Sequence, residues 1–155
     1  MRTKTDIRFD VEADPTQVME ALMAVGMWGE WSPDFESTRI GSRDAEGRAQ
    51  RVYVQVDTTN PDLQVWEFTW QHSKVNWEIS DSTRGIRGSG YFDVSAGDNG
   101  SEVLLHVEQS APVPVPGFLA KKGLRKSYEA MVANFVAYTE GYREPESETY
   151  EAVGP

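Results

Sequence analysis

The sequence predicts an α+β fold in which a curved antiparallel sheet of seven strands wraps one long C-terminal helix, with two short helices after the first strand. Three observations carry this expectation. Large apolar residues at Leu124, Tyr128, Met131, Phe135, Tyr138 and Tyr142 recur at gaps of four, three, four, three and four, one stripe of a helix running from Phe118 to about Tyr142. The proline-rich hinge Pro112-Val113-Pro114-Val115-Pro116-Gly117 stands immediately before it. Upstream of the hinge, roughly seventy residues read as consecutive strands. A helix of this length must bury its stripe, and only the face of the sheet is large enough to take it. A curved sheet around one helix leaves a pocket between them.

The elements follow in order. Thr5 to Ala13 alternates, with Ile7, Phe9 and Val11 on one face. Asp14 suits an N-cap and Pro15 the first helical turn, opening a short helix marked by Val18, Leu22 and Val25 and ended by Gly26. The aromatic segment Met27 to Phe35 reads as a second short helix and a turn. Six strands come next: Glu36 to Ser42, Gln50 to Asp57, Leu63 to His72, Lys74 to Ser80, Gly85 to Val94 and Glu102 to Gln109. Turns at Asp44-Ala45-Glu46-Gly47, Asn60-Pro61-Asp62 and Asp98-Asn99-Gly100 separate them where they are marked most clearly. Residues 1–142 form one domain, and 143–155, acidic and without an apolar face, read as a mobile tail.

Composition narrows the function. The chain has 155 residues, no cysteine and two histidines, so disulfides, thiolate metal sites and cysteine nucleophiles are excluded and no metal or cofactor is expected. The net charge of −10 argues against nucleic acid and anionic surfaces as partners. No stretch approaches the ~18 apolar residues of a membrane span, and no apolar leader opens the chain, so the expected location is the cytoplasm. The oligomeric state is open.

Three stretches carry a family resemblance. They are Val11 to Leu22 running on to Trp28-Gly29-Glu30-Trp31-Ser32-Pro33; Val75-Asn76-Trp77-Glu78-Ile79 followed by Gly88-Ser89-Gly90-Tyr91-Phe92; and Val113 to Leu119 leading into the last helix. In this order they resemble the START-like helix-grip superfamily (SRPBCC), in its bacterial polyketide cyclase/dehydrase and coenzyme-Q-binding-type branch. The resemblance implies a helix-grip fold. It leaves activity open, since such proteins include carriers of apolar molecules, cyclases and dehydratases. It also places Trp28 and Trp31 near a pocket entrance, either as a cap or as a gate that touches ligand. Many members of the family carry an aromatic residue at the position of Gly90, and a glycine there would deepen the pocket or bend the strand.

The candidate ligand-binding residues are those expected to face the interior: Val54, Trp66, Phe68 and Trp77 on the middle strands, Gly90, Phe92 and Val107 on the later ones, Tyr128 on the helix, and Trp28 with Trp31. Trp66, Phe68, Trp70 and Trp77 read first as core packing of sheet against helix, and alternatively as an aromatic lining for a flat or long apolar ligand. Arg84 and Gln109 are candidates for polar groups in the pocket, while Arg51, Tyr53, Gln55, Arg87, Ser89 and Tyr91 face outward by strand parity. No catalytic residue is recognisable, because His72 ends a strand and His106 alternates outward. Lys121, Lys122, Arg125 and Lys126 crowd four positive charges into the start of the helix, as a solvated face or as a rim for an anionic group. The expected function is binding of an apolar, polyketide-like or lipid-like small molecule as carrier or sensor. The alternatives are a cyclase or dehydratase acting in the same cavity, and a protein-interaction module.

Overall fold

The computed structural model describes residues 2–56, 61–110 and 117–141. Its elements are β1 (Arg2–Val11), α1 (Pro15–Met23), a 3₁₀ helix (Val25–Glu30), β2 (Phe35–Arg43), β3 (Ala49–Val56), β4 (Asp62–Trp70), β5 (Lys74–Ser82), β6 (Arg87–Gly97), β7 (Gly100–Ser110) and α2 (Gly117–Glu140). The predicted prolines 112–116, the Asn60 position of one turn, Tyr142 and the tail 143–155 lie outside the described residues.

The seven strands form one antiparallel sheet in the order β1-β7-β6-β5-β4-β3-β2. From β2 to β7 each strand pairs with the next, which short turns permit. Gly47 supplies the positive φ of 84° that the β2–β3 turn needs. β1 is the exception. It lies against β7, so the N-terminal strand completes the far edge.

Alternation sorts each strand into two faces. Register then lines up rows across the inner face. One row runs Thr3, Gln109, Gly88, Ile79, Trp66 and Val52; the next runs Thr5, Val107, Gly90, Trp77 and Phe68; a third runs Ile7, Leu105, Phe92, Val75 and Trp70. Toward the third row the surface is wholly apolar. The first two begin on buried threonines.

α1 starts as predicted, with the Asp14 carboxylate accepting the Gln17 amide at 2.8 Å and proline at the first helical position. It ends at Met23, where the Ala24 amide donates to the Glu20 carbonyl, and Gly26 falls inside the 3₁₀ helix. The expected stop at Gly26 is therefore corrected: the tighter turn takes over before the glycine is reached. Asp62 is likewise no turn residue. It is the first residue of β4, buried on the inner face.

α2 lies along β1. Its C-terminal end is anchored twice: the Glu140 carboxylate accepts the Glu12 amide at 2.9 Å, and the Gln17 side chain donates to the Thr139 carbonyl at 2.9 Å. Burial along the helix is unequal. Met131, Val132, Phe135 and Thr139 are buried, whereas from 121 to 130 every residue is exposed except Leu124 and Tyr128, which are half-buried.

Candidate functional site

The inner face of the sheet beneath α2 is covered by aromatic side chains, and Trp28 stands at their centre. The 3₁₀ helix delivers it there: a segment without sheet partners can drive one side chain straight down onto the strands. Trp28 meets Phe68 edge-on at 5.3 Å between ring centroids, Phe92 at 6.1 Å, and Trp66 and Trp77 each at 6.4 Å. Its Nε1 donates to the Leu22 carbonyl at 2.8 Å, which fixes the ring. Trp31 packs on Trp28 and on Phe135, each at 4.8 Å. Phe135 of α2 closes the cluster against Phe92 at 5.7 Å and Phe9 at 6.2 Å.

Nine of the ten ligand-binding candidates are thus buried together. Trp28, Trp31, Trp66, Phe68, Trp77 and Phe92 touch one another, Val54 and Val107 lie on the same inner face, and Gly90 sits beneath Trp77. Tyr128, the tenth, is half-buried on the looser half of α2. Of the two expectations for Gly90, the deepened pocket needs correcting. A Cβ there would stand 2.5 Å from Cζ2 of Trp77 and 2.9 Å from its Cε2. The missing side chain does not deepen a pocket, because the Trp77 indole occupies its place.

Polar groups enter this interior at one end. Trp66 Nε1 donates to Gln64 Oε1 at 2.8 Å, and Gln64 Nε2 donates to Asp62 Oδ2 at 2.7 Å. Asp62 also accepts from Ser82 Oγ at 2.6 Å, Thr83 Oγ1 at 2.7 Å and the Arg84 amide at 3.1 Å. Burial pushes its carboxyl up, but these bonds outweigh it and hold the group below its ordinary range, ionised. On the opposite flank, Arg125 Nη1 donates to Thr5 Oγ1 at 3.3 Å and to the Asp6 carbonyl at 3.0 Å, tying α2 to β1. Burial, and then the nearby charge of Asp34, push the Tyr128 phenol up to about 12, so it remains a hydrogen-bond donor.

Gln64, Asp62, Thr3 and Thr5 were missed as interior polar groups. Parity puts all four on the inner face, since Asp62 and Gln64 precede Trp66, and Thr3 and Thr5 precede Ile7, by even steps. Of the two polar candidates named from sequence, Gln109 is half-buried in the Thr3 row, but the Arg84 side chain is exposed and only its backbone joins the Asp62 network. Among the described residues no group of side chains is arranged to hold a metal ion.

Residues 2–140 match the family described as polyketide cyclase/dehydrase and lipid transport. The chain belongs to that family. Solved structures agree on its START-like helix-grip fold. A START superfamily protein from Mycobacterium smegmatis superposes with a TM-score of 0.79 at 13% identity, over 90% of this chain and 97% of that one. The Zhui aromatase/cyclase from Streptomyces sp. R1128 gives 0.75 at 13%, over 90% and 94%. The di-domain ARO/CYC StfQ of the steffimycin biosynthetic pathway gives 0.72 at 11%, with 99% of this chain matched to 53% of that one. At such identities the likeness is one of fold. No curated protein matches the sequence. Among the described residues of this family member, no helix is long and apolar enough to cross a membrane.

The outer face of the sheet carries a second feature, a groove of about 360 Å³ whose walls include Glu67, Asn76, Glu78, Ser89, Tyr91 and His106. His106 points outward as expected, but it is more than a loose surface residue. Its Nδ1 meets Asp6, its Nε2 meets Glu108 at 3.1 Å, and its ring stacks on Tyr91 at 5.1 Å. Burial pulls the imidazole down, yet the two carboxylates prevail and raise it, favouring imidazolium. The sheet separates it from the aromatic interior.

Proposed function

We propose that this protein binds an apolar, polyketide-like or lipid-like small molecule between the inner face of the sheet and α2, as a carrier or sensor. The observation that supports this best is the uneven seating of α2. Its second half is packed into the core, while its first half keeps Leu124 and Tyr128 only half-buried above an inner face that turns polar at Thr3, Thr5 and Gln109. A lid deeply packed at one end and half-exposed at the other admits a ligand once the Arg125 contacts to Thr5 and Asp6 give way, without unfolding the domain. Among the described residues, Trp31 Nε1 and Thr139 Oγ1 are buried and find no hydrogen-bond partner, two polar atoms that a ligand oxygen would satisfy.

The test is titration of the native protein with an environment-sensitive apolar dye, together with Trp77→Ala. Saturable binding far below the unfolding transition, with an affinity that Trp77→Ala changes, is the expected result. A dye that binds only as the protein begins to unfold would mean a solid interior, and the carrier reading would fail.

A cyclase or dehydratase acting in the same space is the second reading, favoured by the fold shared with aromatase/cyclases. Such chemistry folds a reactive chain by shape and by fixed donors. Tyr128 is a suitable donor. Asp62 is a poor base, since four donors already engage its oxygens. Conversion of a poly-β-ketone thioester to an aromatic product, lost in Tyr128→Phe, would establish this reading over the first.

A further inference from the structure

We infer that the first half of α2 is the head-group end of this cavity, and that its ligand is an amphiphile carrying a carboxylate at one end of an apolar body. The inference rests on the binding function just proposed. Lys121, Lys122, Arg125 and Lys126 are all exposed on two successive turns, in a chain of net charge −10. They follow directly on the first turn of α2, in which no acidic residue stands to offset them. Arg125 pairs at 3.5 Å with Glu129, and among the described residues Lys121, Lys122 and Lys126 have no ion pair.

This charge reaches the interior. The Arg125 guanidinium crosses the seam between α2 and β1 and donates to Thr5, a buried inner-face residue. Tyr128, three residues further along the helix, keeps its proton and offers a neutral donor on the same side. Thr3 and Gln109 adjoin Thr5 on the sheet, and the aromatic floor lies beyond. Polarity therefore falls in steps, from cationic rim to hydroxyl and amide groups to aromatic rings. An anionic amphiphile has the same gradient along its length. Three carboxylates stand near this rim: Asp34 is close enough to raise the Tyr128 phenol, Glu129 pairs with Arg125, and the Asp6 carboxylate is turned to His106 on the outer face.

The experiment compares dodecanoate with dodecanol by calorimetry at low and moderate salt. A carboxylate received by charged donors should bind about tenfold more tightly than the alcohol at low salt. The difference should shrink as salt rises, because exposed charges are screened over about 10 Å at 0.1 M. Lys122→Gln with Lys126→Gln should lower the acid's affinity toward the alcohol's and leave the alcohol unchanged. Arg125→Gln should do the same, and the double lysine variant decides the matter if loss of the Thr5 contact unfolds the arginine variant. Equal affinities at every salt concentration would overturn the inference while leaving the binding function intact. If neither compound binds, both fall. Capture by phosphatidylglycerol vesicles without preference for free dodecanoate would make the cluster a membrane-facing patch and overturn it too.

Discussion

Gly90→Ala should destabilise the protein, against the usual direction of such a change in the unfolded chain. Replacing glycine by alanine restricts the unfolded state and by that route alone would add about 0.4–1 kcal/mol of stability. Here the new methyl group would stand 2.5 Å from Trp77 Cζ2 and would also press on the His106 carbonyl of β7. Trp77 has nowhere to retreat, with Trp66 stacked at 5.7 Å, Phe92 at 5.4 Å and Trp28 at 6.4 Å. Forcing a methyl into a filled core costs about 1–3 kcal/mol, so the net loss should be about 1–2 kcal/mol. Equilibrium unfolding in urea, followed by tryptophan fluorescence, measures it. Trp77→Val in the same chain should relieve part of the penalty, leaving the share owed to the β7 backbone, and a double-mutant cycle separates the two. An alanine variant as stable as the parent would refute the reasoning, because Gly90 would then border empty space.

Phe135→Ala, at a fully buried residue in contact with Trp31, Phe92 and Phe9, should cost about 3–5 kcal/mol by the same assay. Asp62→Ala should cost about 2–3 kcal/mol, since it strands donors on Gln64, Ser82, Thr83 and the Arg84 amide. Because the folded protein holds this carboxyl below its ordinary 3.8, its stabilising contribution is present above that pH and fades as acid titrates the folded form; acid unfolding of the Asp62→Asn variant should lack this component. His106 has the opposite sign. Its folded value is raised above 6.5, so the stability it adds is complete below about 6.5 and disappears as pH rises through the folded value, a slope that His106→Gln should flatten in urea midpoints taken across that window.

The parts of the fold legible in the sequence are those written in a period. Val52 and Val54, or Val103, Leu105 and Val107, alternate because one face is core, and the stripe at Met131 and Phe135 repeats because a helix returns every three to four residues. Trp28 shows the limit. Periodicity cannot say where a single residue on a 3₁₀ turn will project, so its place at the hub of the aromatic cluster required the geometry. Asp62 was obscured by its neighbours, since Asn60-Pro61-Asp62 reads as a turn until the Ser82 and Thr83 hydroxyls arrive from the end of β5 and the turn after it to receive the carboxylate. Of the two partners of His106, Asp6 was equally out of reach, since it comes from a strand a hundred residues away in the chain, whereas Glu108 follows by two on the same strand. For the candidate site, sequence supplied the aromatic members, and the structure added the polar end and the seat that Gly90 makes for Trp77.

The pairing of β1 with β7 has a consequence for the order of events during synthesis. Val11 waits for Ser101 and Arg2 for Ser110, and the face of β1 then waits for α2. At translation rates of ~5–20 residues per second, the first strand spends roughly 5–20 seconds outside the ribosome before its partner exists. β2 to β6 can meanwhile zip hairpin by hairpin, but they present the bare edge of β6, while Ile7, Phe9 and Val11 remain in water. A chain stalled near residue 100 is therefore a sheet with an open side and a loose sticky strand, the material of aggregation. The first strand made is among the last to be seated, and binding of the nascent N-terminus by a chaperone would matter most in that interval.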